Sequence, residues 1–222
     1  MVLMKSKIII LDFGSGNTCQ NDKRIIKRMY DELKAIDSGK YEIIVKWQLF
    51  KVCGANIPLT EEAFNYAYEY GNQLGYKVTA SIFDRPSLEF LLGYDIPFVK
   101  IANRRELDYL IDFIPEEIPV YISKTNDLTI KFGNKNISGL GCVKVPKELE
   151  EFWCISQYPA DIQEYLKLDI KIGNNISDHT NNFALFNRFK PKIIEWHYKL
   201  KTSTGLDAGE FARTPEQLKE VL

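Results

Sequence analysis

The chain carries two histidines among its 222 residues, and each closes an apolar stretch. His179 lies in Ser177-Asp178-His179-Thr180, shortly after the strand-like run Ile170-Lys171-Ile172-Gly173. His197 ends Ile193-Ile194-Glu195-Trp196-His197. On neighbouring parallel strands the two imidazoles would meet at one mouth. Two nitrogens completed by a carboxylate and water suit Mn, Fe, Co or Zn, whereas Mg prefers an all-oxygen shell. Asp12 and Asp207 are the carboxylates available to stand beside them.

Two lysines sit inside apolar runs, Lys46 in Ile43-Ile44-Val45-Lys46-Trp47-Gln48 and Lys100 in Phe98-Val99-Lys100-Ile101. A buried ammonium without a partner costs several kcal/mol or sheds its proton. A bound dianion such as phosphate would resolve both cases. For one such lysine, snorkelling to the surface at a strand edge is the ordinary reading. The other strand ends weigh against coincidence: Asp12 closes the first, Ser81 the third (before Phe83-Asp84), Ser123 the fifth and Ser156 the sixth. Gly14-Ser15-Gly16 has the look of a dinucleotide loop, but Cys19 stands where the third glycine belongs, and a tight turn is the better reading.

The elements that must position these groups alternate almost to the end of the chain. Strands are predicted at Ile8 to Leu11, Tyr41 to Gln48, Lys77 to Ile82, Pro97 to Ala102, Ile118 to Ser123, Phe152 to Ser156, Asp169 to Ile176 and Lys192 to His197. Helices are predicted at Asp22 to Ile36 (apolar face Ile25, Ile26, Met29, Leu33), Thr60 to Leu74, Pro86 to Leu92, Arg104 to Phe113, Ala160 to Leu166, Phe183 to Phe189 and Pro215 to Val221. A short helical piece is expected at Pro146 to Leu149. Tyrosines and phenylalanines such as Phe64, Tyr66, Tyr68 and Tyr70 read as helix faces. Apolar strands alternating with helices imply a parallel sheet covered on both faces, and eight such units imply a closed (β/α)8 TIM barrel of α/β class. The expectation is one lean domain over residues 1–222, with an irregular or hairpin insert at 128–145 replacing the fifth helix. Each strand end then offers a polar group to one mouth.

Composition narrows the partners. Hydrophobic residues make up 45% and charged residues 27%, with a formal net charge of -1. No basic excess points to nucleic acid or an anionic membrane, and no apolar run approaches the ~20 residues of a membrane span. The N-terminus lacks a signal-peptide pattern, and the four cysteines form no C-x-x-C pair. A reduced, cytoplasmic location is expected.

In order and spacing these motifs resemble the sialic acid synthases, which condense phosphoenolpyruvate with an N-acetylated hexose. Ser177-Asp178-His179-Thr180 is similar to the family's S-D-H-T, and Glu195-Trp196-His197-Tyr198 to its E-x-H-F. Val45-Lys46-Trp47-Gln48 resembles V-K-x-Q, and Phe98-Val99-Lys100-Ile101-Ala102 resembles F-K-I-A/G-S. Ser156-Gln157-Tyr158-Pro159 resembles its x-x-Y-P turn, Gly205-Leu206-Asp207 its G-P-D, and Phe211 to Leu218 its closing helix. In this sequence Asp12 stands in place of a glutamate, Gly16-Asn17 in place of N-H, Asn103 in place of a serine and Ser123-Lys124-Thr125 in place of S-T-G. Family members continue into a small antifreeze-like domain, whereas this sequence ends at Leu222, so the expectation is the barrel alone.

The resemblance implies roles. His179 and His197 would hold a divalent metal, usually Mn, with Mg, Co or Zn as substitutes. The metal would polarise the aldehyde of an N-acetylmannosamine-like aldose. Lys46, Lys100, Ser81, Ser123, Ser156 and Ser177 would cradle phosphoenolpyruvate, with Gln48, Phe83 and Asn103 beside them. Asp12 would handle the water or a proton. Tyr158, Asp207 and Glu195 would orient the sugar or support the metal. The product would be a nonulosonic acid and phosphate. A homodimer is left open. So are two other functions: a non-catalytic sugar- or phosphate-binding relative, and a barrel aldolase using Lys46 or Lys100 as a Schiff-base lysine.

Overall fold

The computed structural model describes residues 7–50, 54–125 and 146–222. Eight parallel strands close into a barrel in sequence order. They are β1 (Ile8–Gly14), β2 (Glu42–Gln48), β3 (Lys77–Ile82), β4 (Val99–Ile101), β5 (Val120–Lys124), β6 (Leu149–Cys154), β7 (Asn175–Asp178) and β8 (Ile193–His197). β8 pairs with β1 in register, Asp12 opposite His197, which completes the closure. The expected (β/α)8 architecture is therefore present, and the expected insert at 128–145 lies outside the described residues.

The helices cover the outside. They are α1 (Gly16–Cys19), α2 (Lys23–Ile36), α3 (Glu61–Gln73), α4 (Arg85–Leu91), α5 (Ile162–Leu166), α6 (Ala184–Phe189) and α7 (Pro215–Leu218). α2 buries Ile26, Met29, Tyr30 and Leu33 against the barrel, and Asp22 caps it by accepting from the Arg24 N–H. Thr60 caps α3, and Asp84 caps α4 in a reciprocal box with Ser87. The outward strand residues and these helix faces form the main core, including Phe13, Trp47, Ile82, Ile101, Ile122 and Trp196. Burying one such side chain stabilises by roughly 1.5–3 kcal/mol. No helix among the described residues is long and apolar enough to cross a membrane.

Three predicted elements differ. The segment after β4 is a 3-10 helix, Arg105–Phe113, with no side-chain cap at Arg104. Residues 146–148 are not helical; β6 begins at Leu149, because its backbone pairs with β5 from Val120 onward. The alternating run Asp169 to Gly173 is not part of β7. Asn174 Oδ1 accepts from the Lys171 N–H, Gly173 adopts a left-handed φ of 88°, and Ile172 is 77% exposed. β7 is the four residues that follow.

Candidate active site

Side chains alternate across a strand, so residues i, i+2 and i+4 face the barrel interior together. That count sorts the interior into three levels. The lowest is apolar: Ile10, Ile44, Phe98, Tyr121, Phe152 and Ile193 pack as one cluster. Two residues further along stand Asp12, Lys46, Lys100, Ser123, Cys154 and Glu195, with Ser81 and Ser177 from β3 and β7. Two further again stand Gln48, Phe83, Ala102, Ser156, His179 and His197. The upper two levels line a cavity of about 650 Å³, within the usual range for small-molecule sites. Every candidate residue of the sequence analysis lines it, including Asn103, Tyr158 and Asp207 from the loops.

The lysines do not snorkel: Lys46 and Lys100 are each 1% exposed. Neutralisation comes from carboxylates of the chain itself. Lys46 Nζ donates to Asp12 Oδ2 at 2.6 Å and to Ser81 Oγ at 2.8 Å. Glu195 lies between the two ammoniums, 3.9 Å from Lys46 and 3.7 Å from Lys100. Burial lowers the Lys46 ammonium, but Asp12 and Glu195 outweigh it and the net direction is up. For Lys100 burial prevails over Glu195, Lys46 repels it, and the net direction is down. Lys100 is otherwise held by the Ser123 hydroxyl. Burial raises the Glu195 carboxyl, yet Lys100 and Lys46 bring it down to about 2.

Asp12 accepts three hydrogen bonds, from Gly14 N, Lys46 Nζ and Gln48 Nε2. Gly14 makes this turn possible. Its φ is 78°, and a Cβ there would stand 2.7 Å from the Asp207 Cβ. Asp207 Oδ2 accepts from Ser15 N, Ser15 Oγ and Asn17 Nδ2, so the Gly-Ser-Gly turn clasps the 205–209 loop over the mouth. Burial raises the Asp207 carboxyl, but the Ser15 and Asn17 bonds outweigh it and lower it. The Asn103 amide donates to Ser156 Oγ at 2.9 Å. Tyr158, 52% exposed, lays its ring over His179 with centroids 4.2 Å apart, and Phe211 stands edge-on to His197.

The histidine rings lie 5.2 Å apart. His179 Nδ1 is 2.7 Å from the Ile155 carbonyl, which can only accept, so the proton sits on Nδ1 and Nε2 keeps its lone pair. His197 Nδ1 is buried without a hydrogen bond and lies 3.7 Å from Asp12 Oδ2. Burial, with His197 nearby, pushes the His179 imidazole down to about 3, and burial also lowers His197 against the pull of Asp12. Both rings are therefore neutral at pH 7, as metal ligation requires. Gln48 Oε1 and Glu195 Oε2 are likewise buried without a hydrogen bond. Three of the four such atoms among the described residues thus gather at the same mouth as the two imidazoles, and the fourth, Arg213 Nε, lies outside the cavity. No cluster of three or more His, Cys, Asp or Glu able to hold a metal occurs among the described residues. The donor chemistry fits an open two-nitrogen site that substrate and water would complete, and not a closed structural one.

Sequence reasoning passed over Cys154, Arg104, Leu206 and Phe211, which also line the cavity. Counting by two from Phe152 would have found Cys154; the loop residues carry no such signal.

No family model and no curated protein matches the sequence. Solved structures share its fold. The N-acetylneuraminic acid (sialic acid) synthetase from Leptospira borgpetersenii serovar Hardjo-bovis, in complex with citrate, aligns with a TM-score of 0.70 at 22% identity, covering 97% of this chain and 81% of that one. A spore coat polysaccharide biosynthesis protein from Bacillus subtilis aligns with a TM-score of 0.70 at 16% identity, covering 97% of this chain and 66% of its own. A truncated 3-deoxy-D-arabino-heptulosonate 7-phosphate synthase from Thermotoga maritima aligns at 0.58 with 13% identity, covering 97% and 83%.

Proposed function

We propose that this barrel belongs with the sialic acid synthases and condenses phosphoenolpyruvate with the aldehyde of an N-acetylmannosamine-like aldose, giving a nonulosonic acid and phosphate. The observation that carries the proposal is the charged level of the barrel. Two buried lysines flank one glutamate directly beneath two neutral histidines. The fold it shares with a sialic acid synthetase adds support.

Lys100 is the cation with the weakest carboxylate contact, so the anionic donor docks there, with Ser123, Ser81, Ser156 and Asn103 around it. Lys46 stays with Asp12 and contributes field. A divalent metal, Mn by resemblance, held by His179 and His197 would polarise the aldehyde oxygen as a Lewis acid. The C2=C3 π pair of phosphoenolpyruvate bonds C3 to the aldehyde carbon, the carbonyl π pair moves onto oxygen, and the alkoxide takes the proton that Asp12 collects from water. Water adds to C2 and passes its proton to Asp12, beside His197. The C2–O bond to phosphate then breaks, phosphate departs and C2 becomes the ketone. Tyr158 and Phe211 wall the sugar from bulk water. The Asp207 oxygen not held by Ser15 and Asn17 would read a sugar hydroxyl.

One observation favours a second reading. Burial drives the Lys100 ammonium toward the neutral amine that a Schiff base requires. Two assays decide. Phosphate release from phosphoenolpyruvate with a panel of aldoses and Mn should be sugar-dependent and lost in His179→Ala and His197→Ala. No turnover with any sugar, together with borohydride trapping of pyruvate on Lys100, would replace condensation by the aldolase reading.

A further inference from the structure

We infer that Asp178 and Arg213, outside the cavity, are positioning residues that jointly set the geometry of the two histidines. The inference rests on reading His179 and His197 as a metal-binding pair. Ser177 and His179 face the barrel interior, so Asp178 faces outward, toward the helices. Neighbouring outward positions on β7 and β8 are apolar, among them Ile176, Ile194 and Trp196. Asp178 is 0% exposed, and Arg213 is 2% exposed. Apolar side chains would fill that space without the desolvation of two charges. What they could not supply is directional bonding.

Asp178 has four bonds. Oδ1 accepts from the Thr180 N–H at 2.8 Å and the Thr180 hydroxyl at 2.7 Å. Oδ2 accepts from Trp196 Nε1 at 2.9 Å and from the Arg213 guanidinium at 2.9 Å. One carboxylate, on the residue just before His179, therefore holds the residue just after it and the residue just before His197. Arg213 continues the clamp. Its backbone N–H donates to the His197 carbonyl at 2.8 Å. Its guanidinium donates to the carbonyls of Phe211 and Asn182 and lies between the Phe183 and Trp196 rings. Phe211 in turn packs edge-on against His197 at 4.9 Å. The bonds to Thr180, to Trp196 and to the His197 carbonyl each reach a residue beside one histidine or that histidine's own backbone.

The test uses the whole chain and two readouts. The first is long-range 1H–15N NMR of the imidazoles, which gives two spin systems because the chain has two histidines. The second is Co2+ affinity, followed by the absorption of the bound ion. Asp178→Asn should weaken Co2+ binding ~10–100-fold, the usual effect of losing a ligand-orienting partner, and should move both imidazole signals although it touches neither ring. Arg213→Lys keeps the charge but loses the fork, so it should fail to restore wild-type affinity. Thr180→Val removes one hydroxyl bond and leaves the ion pair, so it covers the case in which Asp178→Asn does not fold; it should lose affinity by a smaller factor. Wild-type affinity and unmoved imidazole signals in folded Asp178→Asn, or in Thr180→Val, would overturn the inference. If the wild-type chain binds no Co2+ while the imidazole signals still shift in Asp178→Asn, the metal reading fails and the positioning role stands.

Discussion

Replacing Glu195 by glutamine should destabilise the protein at pH 7 and do so less as pH rises. Lys46 keeps Asp12 at 2.6 Å in the variant, so the group left without a counter-charge is Lys100. Its contact with Glu195 spans 3.7 Å, which at an effective dielectric of about 20 corresponds to ~4 kcal/mol. The loss is bounded, because Lys100 can shed its proton instead. Moving a lysine from its free value to neutrality at pH 7 costs about 5 kcal/mol at ~1.4 kcal/mol per unit. A destabilisation of ~3–5 kcal/mol follows, in line with orphaning one member of a buried pair. The sign of the pH effect comes from linkage. Lys100 is already lowered in the folded chain, and the variant lowers it further. Between that folded value and the unfolded one near 10.5, the unfolded chain binds the extra proton. Raising pH therefore favours the fold, by up to ~1.4 kcal/mol per unit. Urea unfolding of both proteins at pH 7 and pH 9 measures this. Equal stability at pH 7, or a difference that widens at pH 9, would refute the view that Glu195 neutralises Lys100.

Other outcomes follow from single contacts. Gly14→Ala forces a side chain into a left-handed backbone and against Asp207, so a loss of ~1–3 kcal/mol is expected by denaturant unfolding. Asp207→Asn gives up part of the clasp on Ser15 and Asn17; in a condensation assay KM for the aldose should rise more than kcat falls. Burial holds the Cys154 thiol up at about 12 and Cys19 at about 11. Both should resist iodoacetamide at pH 8 in the folded chain and react once it is unfolded, as read by mass spectrometry.

The barrel and its mouth were legible because both rest on local alternation. Eight apolar strands alternating with helices declare a ring, and the polar groups at their ends declare its mouth. What stayed hidden depends on partners far away in sequence. Nothing near Lys46 or Lys100 announces Asp12 or Glu195, so snorkelling was the ordinary reading of each lysine alone. The run Asp169 to Ile172 alternates like a strand, but a side-chain bond from Asn174 and the left-handed Gly173 turn it aside. Asp178 sits inside the most conspicuous motif and yet faces away from the cavity, a fact that emerges only from counting inward positions on β7.

The closed order of strands also accounts for which acid stands where. Asp12 and Lys46 are direct register partners on adjacent strands, and a short side chain suffices to join them. β4 and β8 stand on opposite sides of the eight-stranded ring. The contact between Lys100 and Glu195 therefore crosses the interior, and it needs two long side chains. On an open sheet Lys46 would keep Asp12 on the adjacent strand, whereas Lys100 would need another source of counter-charge. Here each is balanced from a different strand, above the apolar cluster of Ile10, Ile44, Phe98, Tyr121, Phe152 and Ile193. The balance is uneven: Lys46 has a carboxylate at hydrogen-bond distance, whereas the carboxylate nearest Lys100 stands 3.7 Å away. On the proposed function an incoming anion would gain most at Lys100, beneath the level of His179 and His197. The same unevenness that costs stability in the free protein would then direct the donor toward the two imidazoles.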